Sequence, residues 1–318
     1  MVSRGRQSCA GSGLFAALAT LALLSGGVSQ AQVTIEQIDV TRPIDVVGHR
    51  GLGGRYPESS LAGFEQALAV GVTTLQMNVQ ATRDRVLIVY HETELDPRRC
   101  SATNGQPLPR QPLSKLSWPE LSEIVCRSQD SEQDSASAQP IPRLQDLLEL
   151  AASADEPVKV CVEIETAAKL GIAVRDFVDL LATQIEQSGL TERTTVRSRD
   201  PQVLLTVRDR IPPASRAIVV GNRRAFERML QKSDATILSP PFRQLVLDDV
   251  RQFRRRGIGV LPWVVNDADD IRRMILWGVD GILSDYPDRV VQVWRGLHPD
   301  PARSASGGSS VAKTRAAP

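Results

Sequence analysis

The chain has 318 residues, 42% of them hydrophobic, and a formal net charge of +1. That length can bury one large core or two modest ones, and a charge so near zero excludes a general electrostatic pull toward nucleic acid or anionic membrane. The sequence reads as a soluble globular protein.

The N-terminus joins Arg4 and Arg6 to an apolar run from Leu14 to Leu24, then to Gly26, Gly27 and "SQA". Charged, apolar and small-residue regions in that order predict a signal peptide over residues 1–31 and a periplasmic or secreted product. A short transmembrane anchor is the alternative, but the apolar run is too short to span a bilayer, so no stable membrane insertion is expected after cleavage. Cleavage leaves Cys100, Cys126 and Cys161. The first two flank a polar stretch and can pair in an oxidising compartment, whereas Cys161 sits in the apolar run "VKVCVEIE" and reads as a packed thiol.

Strand-like runs follow at residues 44–49, 74–79, 86–91, 158–165, 194–198, 216–220, 235–239, 259–265 and 281–284. Helical periodicity fills most gaps, most clearly in Leu61, Phe64 and Leu68 stopped by Gly71, and in Ile271, Met274 and Ile275 stopped by Gly278. Strands alternating with helices over roughly 250 residues predict an α/β fold, a (β/α)8 TIM barrel in preference to an open sheet. The runs number nine against the eight a barrel needs, and the link from Val79 to Val86 is too short for a helical crossover. The polar stretch 127–140 reads as a surface insertion and residues 299–318 as an unstructured tail, leaving 32–298 as the folded domain.

Chemistry gathers where strands end. His49 closes one run in "VVGHRGLGGRYPESS" and His91 another in "IVYHETEL"; the third histidine is His298. In a barrel the C-terminal strand ends share one face, so the two imidazoles can meet there beside Arg50. Gly51, Gly53 and Gly54 could add backbone amides for a phosphate. In "TLQMNV" strand alternation puts Gln76 and Asn78 on one face, either as a solvated polar pair or as part of a site.

The ordered succession of "HRG" (49–51), "PES" (57–59), "LQMNVQATRD", "VYHE", "VEIE", "PWVVN" and "GVDGILSDYP" resembles the glycerophosphodiester phosphodiesterases over about Ile44 to Trp294. The resemblance implies a barrel of the phospholipase C-like phosphodiesterase type that hydrolyses a glycerophosphodiester to glycerol phosphate and an alcohol. It implies general acid and base roles for His49 and His91 and a phosphate contact for Arg50. Glu58, within "PES", and Trp263, which packs either on the glycerol or headgroup or in the barrel core, are the other substrate-binding candidates. The family's metal ligands fall on Gln76, Asn78 and Glu163, and a family lysine is replaced by Glu165. Those four positions, Glu165 included, are the expected cation site, with calcium favoured over magnesium because amide carbonyls can ligate it. The other reading is a barrel that has lost its metal and binds a phosphorylated ligand without turnover.

Overall fold

The computed structural model describes residues 42–127 and 138–298. The predicted signal peptide, the centre of the polar stretch 127–140 and the tail 299–318 lie outside the described residues.

Eight parallel strands make a nearly closed barrel: β1 (Asp45–His49), β2 (Thr74–Ala81), β3 (Lys159–Ile164), β4 (Thr194–Ser198), β5 (Ser215–Val219), β6 (Ile237–Ser239), β7 (Gly259–Val260) and β8 (Gly281–Ser284). Their order in the sheet is β7-β6-β5-β4-β3-β2-β1-β8. The ladder of β7 stops early because Pro262 has no N–H to continue it. Backbone bonds still bridge the seam: Asp280 N donates to Val260 O at 3.0 Å and Leu283 N to Pro262 O at 3.1 Å.

The two-residue period of each strand sorts side chains to two faces. Leu75, Met77, Val160, Val162, Val196, Ile218 and Ile282 face outward and are buried in the main core beneath the helices. Burying each contributes about 1.5–3 kcal/mol. The alternate positions, His49, Gln76, Asn78, Glu163 and Arg197, face inward, and in the ladder Asn78 pairs with Glu163 and Glu163 with Arg197. Three polar side chains therefore stand at one level of the barrel interior.

The ninth strand-like run is not a barrel strand. Leu87–Val89 pairs antiparallel to β2, Val79 opposite Val89 and Ala81 opposite Leu87, after a turn in which Arg85 takes a φ of 63°. So short a link can only reverse the chain. The reversal has a use: β2 runs on past its neighbours, and the returning strand brings Tyr90 back beside Asn78, with Tyr90 N on Asn78 O at 3.1 Å, so His91 follows at the rim.

Beyond it a three-stranded antiparallel sheet of Cys100–Ala102, Ile124–Cys126 and Gln139–Pro140 covers its own small core, which includes Ile88, Leu95, Leu121 and Ile141. Cys100 and Cys126 face each other across this sheet and form a disulfide, as their spacing led one to expect. Closing a loop of 26 residues contributes about 3.5 kcal/mol in the chain-entropy account. Cys161 is free and buried, and burial pushes its thiol up to about 12. Among the described residues no helix is long and apolar enough to cross a membrane.

Candidate active site

The loop after β1 is forced into an unusual path. Arg50 and Gly51 take φ values of 53° and 88°, and Ser59 takes 61°. Glycine is required at 51, since a Cβ there would stand 2.8 Å from the backbone carbon of Gly63. Arginine and serine have no such freedom, so their left-handed backbones are strain held by surrounding bonds. Ser59 N donates to Arg50 O at 3.0 Å, and Arg50 N to the Gln76 side-chain oxygen at 3.1 Å. The Ser60 hydroxyl then caps the helix Leu61–Val70, accepting from Gly63 N at 3.1 Å.

This path sets two side chains. His49, 9% exposed, donates from Nδ1 to Asp285 Oδ1 at 2.6 Å. Asp285 follows β8 directly and is positioned twice: its backbone oxygen accepts from Gly54 N at 2.9 Å, and its Oδ2 accepts from Asn266 Nδ2 at 2.8 Å. Burial lowers the proton affinity of His49 and outweighs the opposing bond to Asp285, so the ring is neutral near pH 7 with its proton on Nδ1. Arg50 donates from Nη1 to Glu58 Oε2 at 2.6 Å, while Arg99 holds Glu58 Oε1 at 2.7 Å. Burial pushes the Glu58 carboxyl up, but the two arginines overcome it and hold it at about 2.

His91 lies with Nδ1 2.9 Å from Glu92 Oε1 and lines a small cleft with Glu58 and Arg99. Burial and then Arg50 lower its proton affinity as well. Trp263 is half-buried; its Nε1 donates to Ser239 O at 2.9 Å, and the guanidinium carbons of Arg199 and Arg197 lie 5.2 and 5.7 Å from its ring centre.

Gln76, Asn78 and Glu163 do come together. Arg50 N donates to the one oxygen of the Gln76 amide, which turns the amide nitrogen inward, 3.3 Å from Asn78 Oδ1 and 3.2 Å from Glu163 Oε2. A glutamate could have served Arg50 and kept a second oxygen for a cation; a glutamine presents a donor instead. Arg197 Nη1 donates to the same Oε2 of Glu163. Glu165 is elsewhere. β3 ends at Ile164, so strand alternation does not extend to it, and it pairs with Lys169 at 3.4 Å. Among the described residues no three His, Cys, Asp or Glu side chains gather as metal ligands do. This donor set does not fit a hard divalent cation.

Sequence reasoning missed Asp285, Asn266, Arg99 and Arg197. The first two sit inside quoted motifs, and an aspartate immediately after the last barrel strand was the available signal for Asp285. Nothing local marks Arg99 or Arg197, whose roles depend on partners 41 and 34 residues away.

A sequence profile described as the Glycerophosphoryl diester phosphodiesterase family matches residues 49–289. Among curated proteins the chain is 25% identical over 252 residues to a glycerophosphodiester phosphodiesterase of Caldanaerobacter subterraneus, covering 79% of this chain and 97% of that one. It is 26% identical to a probable glycerophosphodiester phosphodiesterase of Mycobacterium tuberculosis, covering 79% and 91%. Among solved structures, a Silicibacter pomeroyi protein described as a glycerophosphoryl diester phosphodiesterase superposes with a TM-score of 0.73 at 24% identity, over 80% of this chain and 94% of that one. An Oleispira antarctica phosphodiesterase, crystallised with the product sn-glycerol-3-phosphate, superposes with a TM-score of 0.66 at 19% identity, over 79% and 96%.

Proposed function

The chain belongs to the glycerophosphoryl diester phosphodiesterase family, and from that premise we propose that it is an exported hydrolase cleaving a small glycerophosphodiester to glycerol phosphate and an alcohol. The observation that carries this reading is the Asp285–His49 pair beside Arg50.

Attack on phosphorus needs a proton removed from the incoming hydroxyl, of water or of the glycerol moiety. The new P–O bond forms as the bond to the alcohol breaks, and the departing alkoxide takes up a proton. With a carboxylate against Nδ1 of each imidazole, Nε2 of each is the atom left to exchange that proton. Both rings are held toward the neutral form at rest; the bound phosphodiester anion favours protonating one, which serves as acid while the other serves as base. Arg50, aimed by Glu58, meets the non-bridging oxygens as they gain charge. The Trp263 ring offers a face for the glycerol or headgroup.

The family generally works with a divalent cation. Gln76, Asn78 and Glu163 do not fit one as they stand, and no part of this scheme depends on it. Export is supported by the charged-apolar-small leader and by the Cys100–Cys126 disulfide.

Purified protein incubated with glycerophosphocholine is expected to release glycerol phosphate and choline in equal amounts, and periplasmic material is expected to begin near Gln32. Binding of sn-glycerol-3-phosphate without hydrolysis of any glycerophosphodiester would replace this reading with a binding-only barrel.

A further inference from the structure

We propose that this barrel carries its own cation: the guanidinium of Arg197, anchored on Glu163, stands in for a divalent metal as the fixed positive charge that receives the phosphoryl oxygens. This deepens the reading of the site as a phosphodiesterase and rests on it for the identity of the ligand.

The case begins with register. Arg197 on β4 is the ladder partner of Glu163 on β3, which is the partner of Asn78 on β2, so the arginine is built into the same interior layer as the two amides. Arg197 is 3% exposed. A buried guanidinium is strongly disfavoured unless its charge and donors are met. Nη1 is met by Glu163 and Nε by Ser239 Oγ at 3.2 Å. Nη2 has no protein hydrogen bond among the described residues, which leaves that nitrogen's two N–H donors uncommitted.

The surroundings hold that fork in place. Ser239 is itself anchored, its hydroxyl donating to Leu261 O at 2.8 Å, and Trp263 packs near the guanidinium while bonded to the Ser239 carbonyl. Such a donor needs no reorganisation when negative charge develops before it. Its charge is also permanent, and its planar geometry suits phosphate. The two carboxamides follow from the same logic. A carboxylate at 76 or 78 would compete with the ligand for Arg197, whereas an amide fills the volume and adds no charge. Glu163 alone is enough to stabilise one buried arginine. Arg197 lies near enough to His49 to lower that ring's proton affinity, which places it within electrostatic reach of the reacting centre.

The test uses the purified protein and two calorimetric titrations, one with sn-glycerol-3-phosphate and one with calcium or magnesium alone. The expected result is equal affinity for sn-glycerol-3-phosphate in EDTA and in calcium, with no binding of either cation by the wild type. Removing Arg197 alone would strand Glu163, so the paired change Glu163→Gln with Arg197→Gln removes both charges together. That variant should keep its circular dichroism spectrum and lose about 10- to 100-fold in sn-glycerol-3-phosphate affinity, as loss of a charge-assisted hydrogen bond predicts, and Arg197→Lys should lose less. The triple change Gln76→Glu, Asn78→Asp, Arg197→Ala should acquire calcium binding. Cation binding by the wild type that Glu163→Gln abolishes would overturn the proposal, as would sn-glycerol-3-phosphate binding that vanishes in EDTA or is absent under both conditions. Arg197-dependent binding in EDTA with no hydrolysis of any diester would sink the phosphodiesterase reading and leave this one standing. Hydrolysis seen only with a bound divalent cation would do the reverse.

Discussion

His49→Ala is expected to slow glycerophosphocholine hydrolysis by about 10²- to 10⁴-fold, the usual effect of losing a positioned acid or base. The more telling variant is Asp285→Asn. The carboxylate accepts from His49 on one oxygen and from Asn266 on the other. An asparagine has one acceptor oxygen, so it must turn its amide nitrogen toward one of those donors. Turned toward His49, it drives the ring proton to Nε2 and blocks the atom that has to exchange a proton; the rate should fall by at least about 10²-fold. Turned toward Asn266, it still removes the negative charge that raises the affinity of His49 for a proton. The kcat/KM limb belonging to His49 then moves to lower pH. Rates and pH profile identical to wild type would remove the dyad from the mechanism.

Glu58→Gln should be the largest single loss of stability from the site, and its size should depend on pH. The carboxyl titrates at about 2 in the folded protein against 4.5 as a free side chain. A depressed carboxylate stabilises the fold fully above its unfolded value, and the contribution is lost as pH falls from 4.5 toward 2. At pH 7 that contribution is about 3 kcal/mol. Urea unfolding at pH 7 is expected to show the variant weaker by that amount, and the gap should close in strong acid. A gap that stays constant down to pH 3 would mean that shape, not charge, holds Arg50 and Arg99 together. Turnover should fall at neutral pH too, because Arg50 loses the partner that aims it.

Much of this was legible. Two-residue alternation located the strands, glycine stops located helix ends, and the two histidines read at strand ends do lie within electrostatic reach of Arg50. The failures have separate causes. Glu165 was placed with Glu163 by extending the strand period past Ile164, where the chain had already left the ladder for a turn beside Lys169. The 86–91 run has the composition of a buried strand, and composition does not encode direction; only the shortness of the Val79–Val86 link hinted at the reversal. Arg197 looked like one more residue of "TTVRS". Its meaning comes from strand register, a property of pairs that no single stretch of sequence contains.

The pairing of β1 with β8 joins the two ends of the folded domain, and the His49–Asp285 bond spans 236 residues with it. Contacts of such high order form late, because the entropy of closing the intervening loop must be met before they add anything. While the chain is being synthesised, every group at the rim except Asp285 already exists, yet the first strand has no neighbour on one side until the last strand emerges. A chain ending before residue 281 therefore lacks both the strand that pairs with β1 and the Asp285 partner of His49. Closure of the barrel and completion of the His49–Asp285 pair are thereby a single event, set by the arrival of the last strand.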